Sequence, residues 1–275
     1  MERYLDPKND FAFKKVFATE DHKPILIHFL NAVMRFSKER TIVDVELMPP
    51  AHIPMIHDQK HSICDLKCRD QAGNVFIIEM QNLKFPEFGK RVTYYAAFTY
   101  ATQLKEGEQY RALKPVYVVA IVDYDLFPHK KDYIHQHEFH DTKTGEHDLK
   151  DIAFAFVDLY KFKKTKEECT SYVDQWMYFL KHAAEEVEPS FHDTWINKAY
   201  DTLEKYKWTM EEYDAYIQAK LWEESYQAQI EVERKEAKGE GRKEGRKEER
   251  ARLMKLMRQK GFTEKDIKSV FKNES

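Results

Sequence analysis

Several features of secreted, membrane-bound and disulfide-stabilised proteins are missing from this sequence of 275 residues. No apolar run approaches the roughly 20 residues that a membrane-spanning helix needs. Residues 1–7 show neither a basic-then-apolar signal region nor a small-residue cleavage site. Only three cysteines are present, and an odd number fits reduced thiols better than a disulfide framework. We therefore expect a cytoplasmic protein with no membrane segment.

The sequence also lacks an excess of positive charge. Its 45 lysines and arginines are matched by 48 acidic residues, and the formal net charge is −3. Bulk charge therefore gives no attraction to nucleic acid, which argues against a protein that simply coats DNA. A local basic rim around an acidic centre that holds a divalent cation would still attract phosphate. The charge balance therefore does not exclude a local phosphate-binding site.

The hydrophobic content is 42%, with 14% aromatic residues, and this is enough to bury a sizeable core. Residues 115–123 read PVYVVAIVD, an apolar run typical of a strand buried on both faces. Strand patterns also occur at residues 41–48, 133–141 and 152–160. Helical patterns precede and follow them, starting near residues 10, 24 and 91. The sequence predicts an α/β fold with a central mixed sheet flanked by helices.

Residues 61–82 read HSICDLKCRDQAGNVFIIEMQN, two strand-type runs separated by a turn signal. We interpret them as a β-hairpin with a three-residue loop, in which Gly73 takes the position that needs a positive φ. That loop fixes the register. Asp70 then faces Asn74, and Asp65 lies directly opposite Glu79.

The two faces of this predicted hairpin differ in composition. One face is apolar and is expected to form core: Cys64, Leu66, Cys68, Phe76, Ile78 and Met80. The other mixes apolar and polar groups: Ile63, Asp65, Lys67, Arg69, Val75, Ile77, Glu79 and Gln81. Directly paired like charges in a sheet have β-carbons only about 5 Å apart and destabilise it, unless water or a cation compensates. A divalent metal ion bound between the two acids would do so.

Asp65, followed fourteen residues later by Glu79-Met80-Gln81, resembles the Asp…Glu-x-Lys core of the PD-(D/E)XK nuclease superfamily, with glutamine replacing lysine. This variant is similar to the bacterial recombination-promoting nuclease and transposase family. Further blocks fit in the same order: NDFAFKKVF at residues 9–17, Arg91…Tyr94-Tyr95, and Gln103…Gly107…Tyr110…Leu113…Pro115-Val116. The resemblance covers about residues 5–165 and implies a restriction-endonuclease-like core.

The resemblance also implies an activity, a Mg²⁺-dependent cleavage of DNA phosphodiester bonds, with Mn²⁺ as an alternative ion. The implied metal ligands are Asp65, Glu79 and the carbonyl of Met80, all oxygen donors of the kind that Mg²⁺ prefers. We favour Asp10 as a further ligand. Asn9 or Asp10 can cap the first helix, so the alternatives are that Asp10 is only a cap, or that Glu46 completes the site.

Gln81 departs from the lysine-bearing pattern, in which the lysine helps to orient or deprotonate water. An amide can hydrogen-bond a water molecule but carries no charge. Lys67, on the same predicted face as Asp65, or Arg91 on the next helix would supply the missing positive charge. We therefore include Gln81 and Lys67 among the candidate catalytic residues, with Asp65 and Glu79.

Three closely spaced histidines, His135, His137 and His140, also suggest a zinc site, because residues two apart on a strand, such as His135 and His137, share one face. A polar hairpin explains them better, since no cysteine or further carboxylate stands at a recognisable ligand spacing. Cys64 and Cys68 are likewise interpreted as small core residues.

The predicted organisation is a nuclease-like core at residues 1–165, a helical subdomain at 166–229 and a charged tether with an amphipathic tail at 230–275. Residues 230–250 read IEVERKEAKGEGRKEGRKEER and cannot form a packed core. They are either a solvated helix interrupted by glycines or, as we expect, a flexible tether. The tail, with Leu253, Leu256 and Met257 followed by Ile267, Val270 and Phe271, is too short to be stable alone. It should dock on the body, on a partner or, preferably, on a second copy to form a homodimer.

Three functions remain open on the sequence. The first is a metal-dependent DNA endonuclease of the transposase type. The second is a catalytically weak or inactive relative that binds nucleic acid or a protein partner, which Gln81 favours. The third is a structural partner protein whose helical tail is its working part.

Overall fold

The computed structural model describes residues 3–49, 64–85, 87–261, 263–265 and 270. It divides into two units, Met1–Lys220 and Leu221–Ser275. The described part of the first unit contains six strands: β1 (Val45–Met48), β2 (Leu66–Asp70), β3 (Val75–Gln81), β4 (Val116–Val122), β5 (Ile134–His137) and β6 (Ile152–Asp158). The described helices of eight residues or more are α1 (Asp10–Phe17), α2 (Lys23–Met34), α3 (Phe88–Ala101), α4 (Tyr172–His182), α5 (Thr194–Leu203) and α6 (Met210–Gln259).

The strands form one mixed sheet in the order β1-β2-β3-β4-β6-β5. β2 runs antiparallel to its neighbours β1 and β3, whereas β3, β4 and β6 run parallel, and β5 is antiparallel to β6. Every residue of β4 is buried, as expected for a central strand covered on both faces. The predicted α/β fold with a central mixed sheet between helices is confirmed.

The predicted hairpin is also confirmed in its register. β2 and β3 pair with Leu66 opposite Ile78, and continuing this pairing by one residue sets Asp65 opposite Glu79. The loop closes where expected, because the Asp70 N–H donates to the Asn74 carbonyl at 2.9 Å. Gly73 has a φ of 87°, a conformation that costs glycine no steric energy.

Both faces of the sheet are buried. On one face, the apolar side of the hairpin packs with α1, α2, α4 and α5. On the other, Val75 and Ile77 share a second core with Val92 of α3. Cys64 belongs to this second core, not to the first as predicted. The strand alternation fails there because β2 begins only at Leu66.

The helices α4 and α5 pack in the same core as α1 and α2. Trp176 of α4 lies with its ring centroid 5.7 Å from that of Phe17 and 5.6 Å from that of Phe29. Tyr200 of α5 packs edge-on against Tyr4 at 5.0 Å. The helical segment after residue 165 therefore shares the hydrophobic core of the sheet, and the predicted three-part division of the chain stays a prediction.

The prediction of a flexible tether at residues 230–250 is wrong, because these residues are helical. α6 continues through Gly239, Gly241 and Gly245 without interruption. Each glycine costs a helix only about 1 kcal/mol relative to alanine. The surrounding Glu, Lys and Arg residues are good helix formers with opposite charges three and four positions apart, as at Glu231 and Lys235.

The end of α6 carries the first part of the predicted tail. Leu253, Leu256 and Met257 lie on this helix, which stops at Gln259, and Gly261 follows with a φ of 85°. Most of the second predicted tail helix, and the predicted pairing of Ile63 with Gln81, lie outside the described residues. Among the helices in the described ranges, none is both long and apolar enough to cross a membrane.

Candidate active site

Asp65 and Glu79 come together at one end of the hairpin. Glu79 is near the end of β3 and only 4% exposed. Asp65 precedes β2, and its Oδ2 accepts a hydrogen bond of 2.7 Å from the backbone N–H of Met80. This bond attaches Asp65 to the strand that carries Glu79. The carboxyl groups of Asp65 and Glu79, fourteen residues apart in the sequence, are thereby held side by side.

The helix α1 brings two further charges to Asp65. Asn9 is its N-cap and accepts hydrogen bonds from two N–H groups of the first turn, so the interpretation of Asp10 as the cap is wrong. Asp10 is instead the first helical residue, and Lys14 follows one turn later on the same side. The Lys14 Nζ lies 2.6 Å from Asp10 Oδ1 and 3.7 Å from Asp65 Oδ1.

Lys14 was not predicted as a site residue. Its position four residues after Asp10 on a helix is a signal that the sequence contains, because such residues share one face. The sequence does not show that this face of α1 packs near Asp65, because Asp65 lies on a different element. Asp10, in contrast, lies near Asp65, and its carboxyl contributes to raising the pKa of Asp65.

The electrostatics of the two central acids are strongly perturbed. Burial raises the pKa of Asp65 to about 7, and the Asp10 carboxyl adds to the rise while Lys14 opposes it. Burial also raises the pKa of Glu79 well above its usual range, and the charge of Asp65 adds to it. Both shifts have burial as their main cause, and neighbouring carboxyls add to them: Asp10 for Asp65, and Asp65 for Glu79.

A divalent cation fits this set of donors. The Oε1 atom of Glu79 is buried and has no hydrogen-bond partner among the described residues. Such an orphaned carboxylate oxygen is costly unless a cation or a proton satisfies it. The carboxylates of Asp10, Asp65 and Glu79 do not converge within 4.8 Å of one another. As placed, the three therefore cannot all bind one ion, and two of them would supply part of the shell of Mg²⁺, which retains several waters.

Gln81 ends β3 and contacts α3. The Arg91 guanidinium donates from Nη2 to Gln81 Oε1 at 2.5 Å. Arg91 also lies over the rings of Phe88 and Phe85, at 5.0 and 5.4 Å from their centroids. Its charge lowers the pKa of Glu79, although burial prevails. Arg91 therefore brings positive charge to the position where the lysine of the family pattern is missing.

Comparison with known protein families gives a match. The sequence profile of the family described as PD-(D/E)XK nuclease family transposase matches residues 7–233. The chain belongs to this family. No curated protein and no solved structure gives a match.

Membership in the PD-(D/E)XK nuclease family confirms the resemblance inferred from the sequence. The structure described above is consistent with a restriction-endonuclease-like fold. The family description indicates a nuclease or transposase type of function, and PD-(D/E)XK nucleases generally use divalent metal ions. The match continues beyond residue 165, where the predicted resemblance ended, and so includes α4 and α5.

Two other predicted candidates of this PD-(D/E)XK chain lie apart from the acidic cluster. Lys67 forms no ion pair with any described residue; burial lowers its pKa, and the charge of Arg69 lowers it further. Glu46 in β1 lies opposite Arg69 and is 3.6 Å from it, with its side chain 70% exposed. Lys14 and Arg91, not Lys67, are the cations that contact the predicted site residues.

The histidines of the predicted zinc alternative are not brought together in one ligand set. His135 and His137 both pack against the ring of Phe127, at centroid distances of 5.4 and 5.3 Å. His140 lies further along, beside Glu138 and His147.

Proposed function

We propose that the protein is a metal-dependent DNA endonuclease that hydrolyses phosphodiester bonds. The single observation that supports this best is the facing pair of the half-buried Asp65 carboxyl and the buried Glu79 carboxyl, whose Oε1 has no hydrogen-bond partner among the described residues. A protein core tolerates such a pair only with a counter-charge or a bound proton. A divalent cation is the counter-charge that the family uses.

The residues that would hold the ion are Asp65, Glu79 and the carbonyl of Met80, with Asp10 as a further donor. When bound, Mg²⁺ or Mn²⁺ supplies Lewis-acid stabilisation of charge on the phosphoryl oxygens. The chain itself prepares the site. The Met80 N–H fixes the rotamer of Asp65, and burial of Glu79 excludes water from the inner side of the pair.

Lys14 serves as a charged hydrogen-bond donor in this proposal. Burial alone would lower its pKa, but the charges of Asp10 and Asp65 raise the pKa of Lys14 above its ordinary value. The amine therefore stays protonated near neutral pH. A protonated lysine beside two carboxylates can orient a water molecule or neutralise a phosphate oxygen, but it cannot act as a general base.

Gln81 and Arg91 act together. Because Gln81 Oε1 accepts from Arg91, the amide NH₂ group is the part that remains to donate a hydrogen bond. It can position a water molecule or a phosphate oxygen, while Arg91 contributes the charge that glutamine lacks. The pair thus replaces the two properties that one lysine combines in related nucleases.

The same contact favours a second candidate function. If the Arg91 guanidinium holds Gln81 away from water, the protein is a weak or inactive nuclease that binds DNA or a protein partner. The first candidate function predicts DNA cleavage that depends on Asp65. The second predicts binding with little or no cleavage.

A nicking assay on supercoiled plasmid DNA tests the proposal. The parent protein should nick DNA in Mg²⁺ or Mn²⁺ but not in EDTA, and Asp65→Ala should lose at least about a hundred-fold in rate. Asp44→Ala is the matched control, because Asp44 is exposed and outside the site. DNA binding is measured in parallel by fluorescence anisotropy. Binding by the parent without any metal-dependent nicking would support the second candidate.

We also propose that two copies associate through the C-terminal helix. Leu253 and Leu256 of α6 are exposed by 46% and 42%. A two-fold pair matches the symmetry of a DNA duplex, whose two strands need two sites or one site acting twice. The cytoplasmic location stays a prediction.

A further inference from the structure

The turn between β5 and β6 brings two histidines together. The N–H of Asp141 donates to the Glu146 carbonyl at 2.8 Å, and the N–H of Gly145 donates to the Asp141 carbonyl at 2.9 Å. The chain therefore reverses direction, and the residues flanking this closed turn, His140 and His147, face each other. Their ring centroids lie 4.9 Å apart.

A carboxylate completes the group. Glu138 stands two residues before His140, so an extended chain directs both side chains to one side. Its Oε2 atom lies 3.6 Å from His140 Nε2 and 3.3 Å from His147 Nδ1. One ligand atom from each of the three residues lies within 4.8 Å of the other two, and no other such group occurs in the described ranges.

These separations match the edges of a zinc coordination tetrahedron. Zinc bonds to histidine nitrogen and carboxylate oxygen are about 2.0–2.1 Å long, so two ligands of a tetrahedral site stand roughly 3.3–3.4 Å apart. The two measured contacts of Glu138 are within about 0.3 Å of that value. Glu138 therefore needs little movement towards either histidine to share one ion with it, and the two histidine ligand atoms lie within 4.8 Å of each other.

Hydrogen bonding orients one of the rings for this role. The Nδ1–H of His140 donates to the Gly145 carbonyl at 3.0 Å, which leaves the lone pair of Nε2 directed towards Glu138. A second hydrogen bond of this kind usually sets the tautomer of a metal-ligating histidine. The Nε2 atom of His147 is buried and has no hydrogen-bond partner among the described residues.

We propose that Glu138, His140 and His147 bind one transition-metal ion, best matched by Zn²⁺, with water in the fourth position. Two imidazoles select Zn²⁺ over Mg²⁺, which prefers oxygen donors. The site is separate from the acidic cluster, because β5 and β3 are separated by β4 and β6 in the sheet. Its role is structural: the ion fixes a connection that has exposed apolar residues, Phe139 and Leu149, and little core of its own.

Calorimetric titration of the metal-stripped full-length chain with Zn²⁺, using protein without a histidine tag, tests the proposal. An Asp65→Ala, Glu79→Ala background removes the acidic cluster from the measurement. We expect one tight Zn²⁺ per chain in this background. Adding His140→Ala or His147→Ala should weaken binding at least about ten-fold, whereas adding the control His129→Ala, at an exposed histidine outside the group, should not.

Hydrogen exchange provides a second measurement that does not depend on affinity. Zn²⁺ should slow amide exchange across residues 138–147 in the background protein, and this slowing should be absent after His147→Ala. Circular dichroism of the metal-free variants checks that they fold. Equal Zn²⁺ affinity in the His140, His147 and His129 variants, or no stoichiometric binding in the background protein, would overturn the proposal.

Discussion

The carboxylate of Asp65 is hydrogen-bonded to the backbone N–H of Met80, the residue that follows Glu79. This 2.7 Å contact links a residue just outside β2 to the interior strand β3. It holds the two acids together although burial raises the pKa of both, and the charge of Asp65 raises the pKa of Glu79 further. The cluster is thus pre-organised at a cost in repulsion that a divalent ion would remove.

The first prediction concerns metal binding by this pair. Calorimetric titration with Mg²⁺ or Mn²⁺ should detect binding to the parent protein that disappears in Glu79→Ala, since the orphaned Oε1 is removed. Glu46→Ala serves as the control, because Glu46 is exposed and paired with Arg69. Equal binding by Glu79→Ala and the parent would refute the assignment.

The second prediction concerns Gln81. Because its amide is held by Arg91, Gln81→Ala should lower the nicking rate about ten-fold. Gln81→Lys should retain or raise the rate, since it restores the residue of the lysine-bearing pattern. Rates are compared at saturating metal. If all three proteins cut DNA equally fast, Gln81 is only a strand residue.

The third prediction separates two lysines. Lys14→Met should reduce cleavage by roughly a hundred-fold, because it removes the ammonium group beside Asp65. Lys67→Met should stay close to the parent rate, because Lys67 has no ion pair in the described structure. Single-turnover nicking of both variants checks this. A larger loss in Lys67→Met would favour the assignment made from the sequence.

The fourth prediction is the pH dependence of stability without metal. The pKa of Asp65 is about 7 in the folded chain and 3.8 ordinarily, so the folded state keeps a proton that the unfolded state has lost between these pH values. Stability must therefore fall as pH rises from about 4 to about 7, by up to about 4 kcal/mol for a shift of roughly three units.

Asp65→Asn tests the origin of that fall. Urea unfolding in EDTA should show a smaller loss of stability with rising pH in Asp65→Asn than in the parent, with the remaining slope due to Glu79. Asp44→Asn is the control. An unchanged slope in Asp65→Asn would mean that Asp65 does not hold the proton.

The fifth prediction concerns self-association. Light scattering should give the mass of a dimer for the full chain and of a monomer for a chain that ends at Gln229, because the exposed apolar residues near the end of α6 are removed. An unchanged mass in both proteins would show that the tail does not hold copies together.

The sequence by itself determined the backbone pattern of the central hairpin. Alternation of side chains with period two and one glycine at a positive φ were sufficient to place Asp65 opposite Glu79, because a strand register depends on local geometry. The family was recognisable for the same reason, since its motif lies in that hairpin. The buried strand β4 was equally clear from its apolar run.

Only the tertiary structure decided which side chains meet across elements. Lys14 reaches Asp65 from a helix fifty-one residues earlier, and His147 reaches Glu138 only after a turn closes between them. The prediction of a flexible tether in place of the second half of α6 was wrong, because the summed weak helix preferences of its residues outweigh the cost of three glycines. Local periodicity fixes the direction of a side chain along its own element, whereas its partners depend on how whole elements pack.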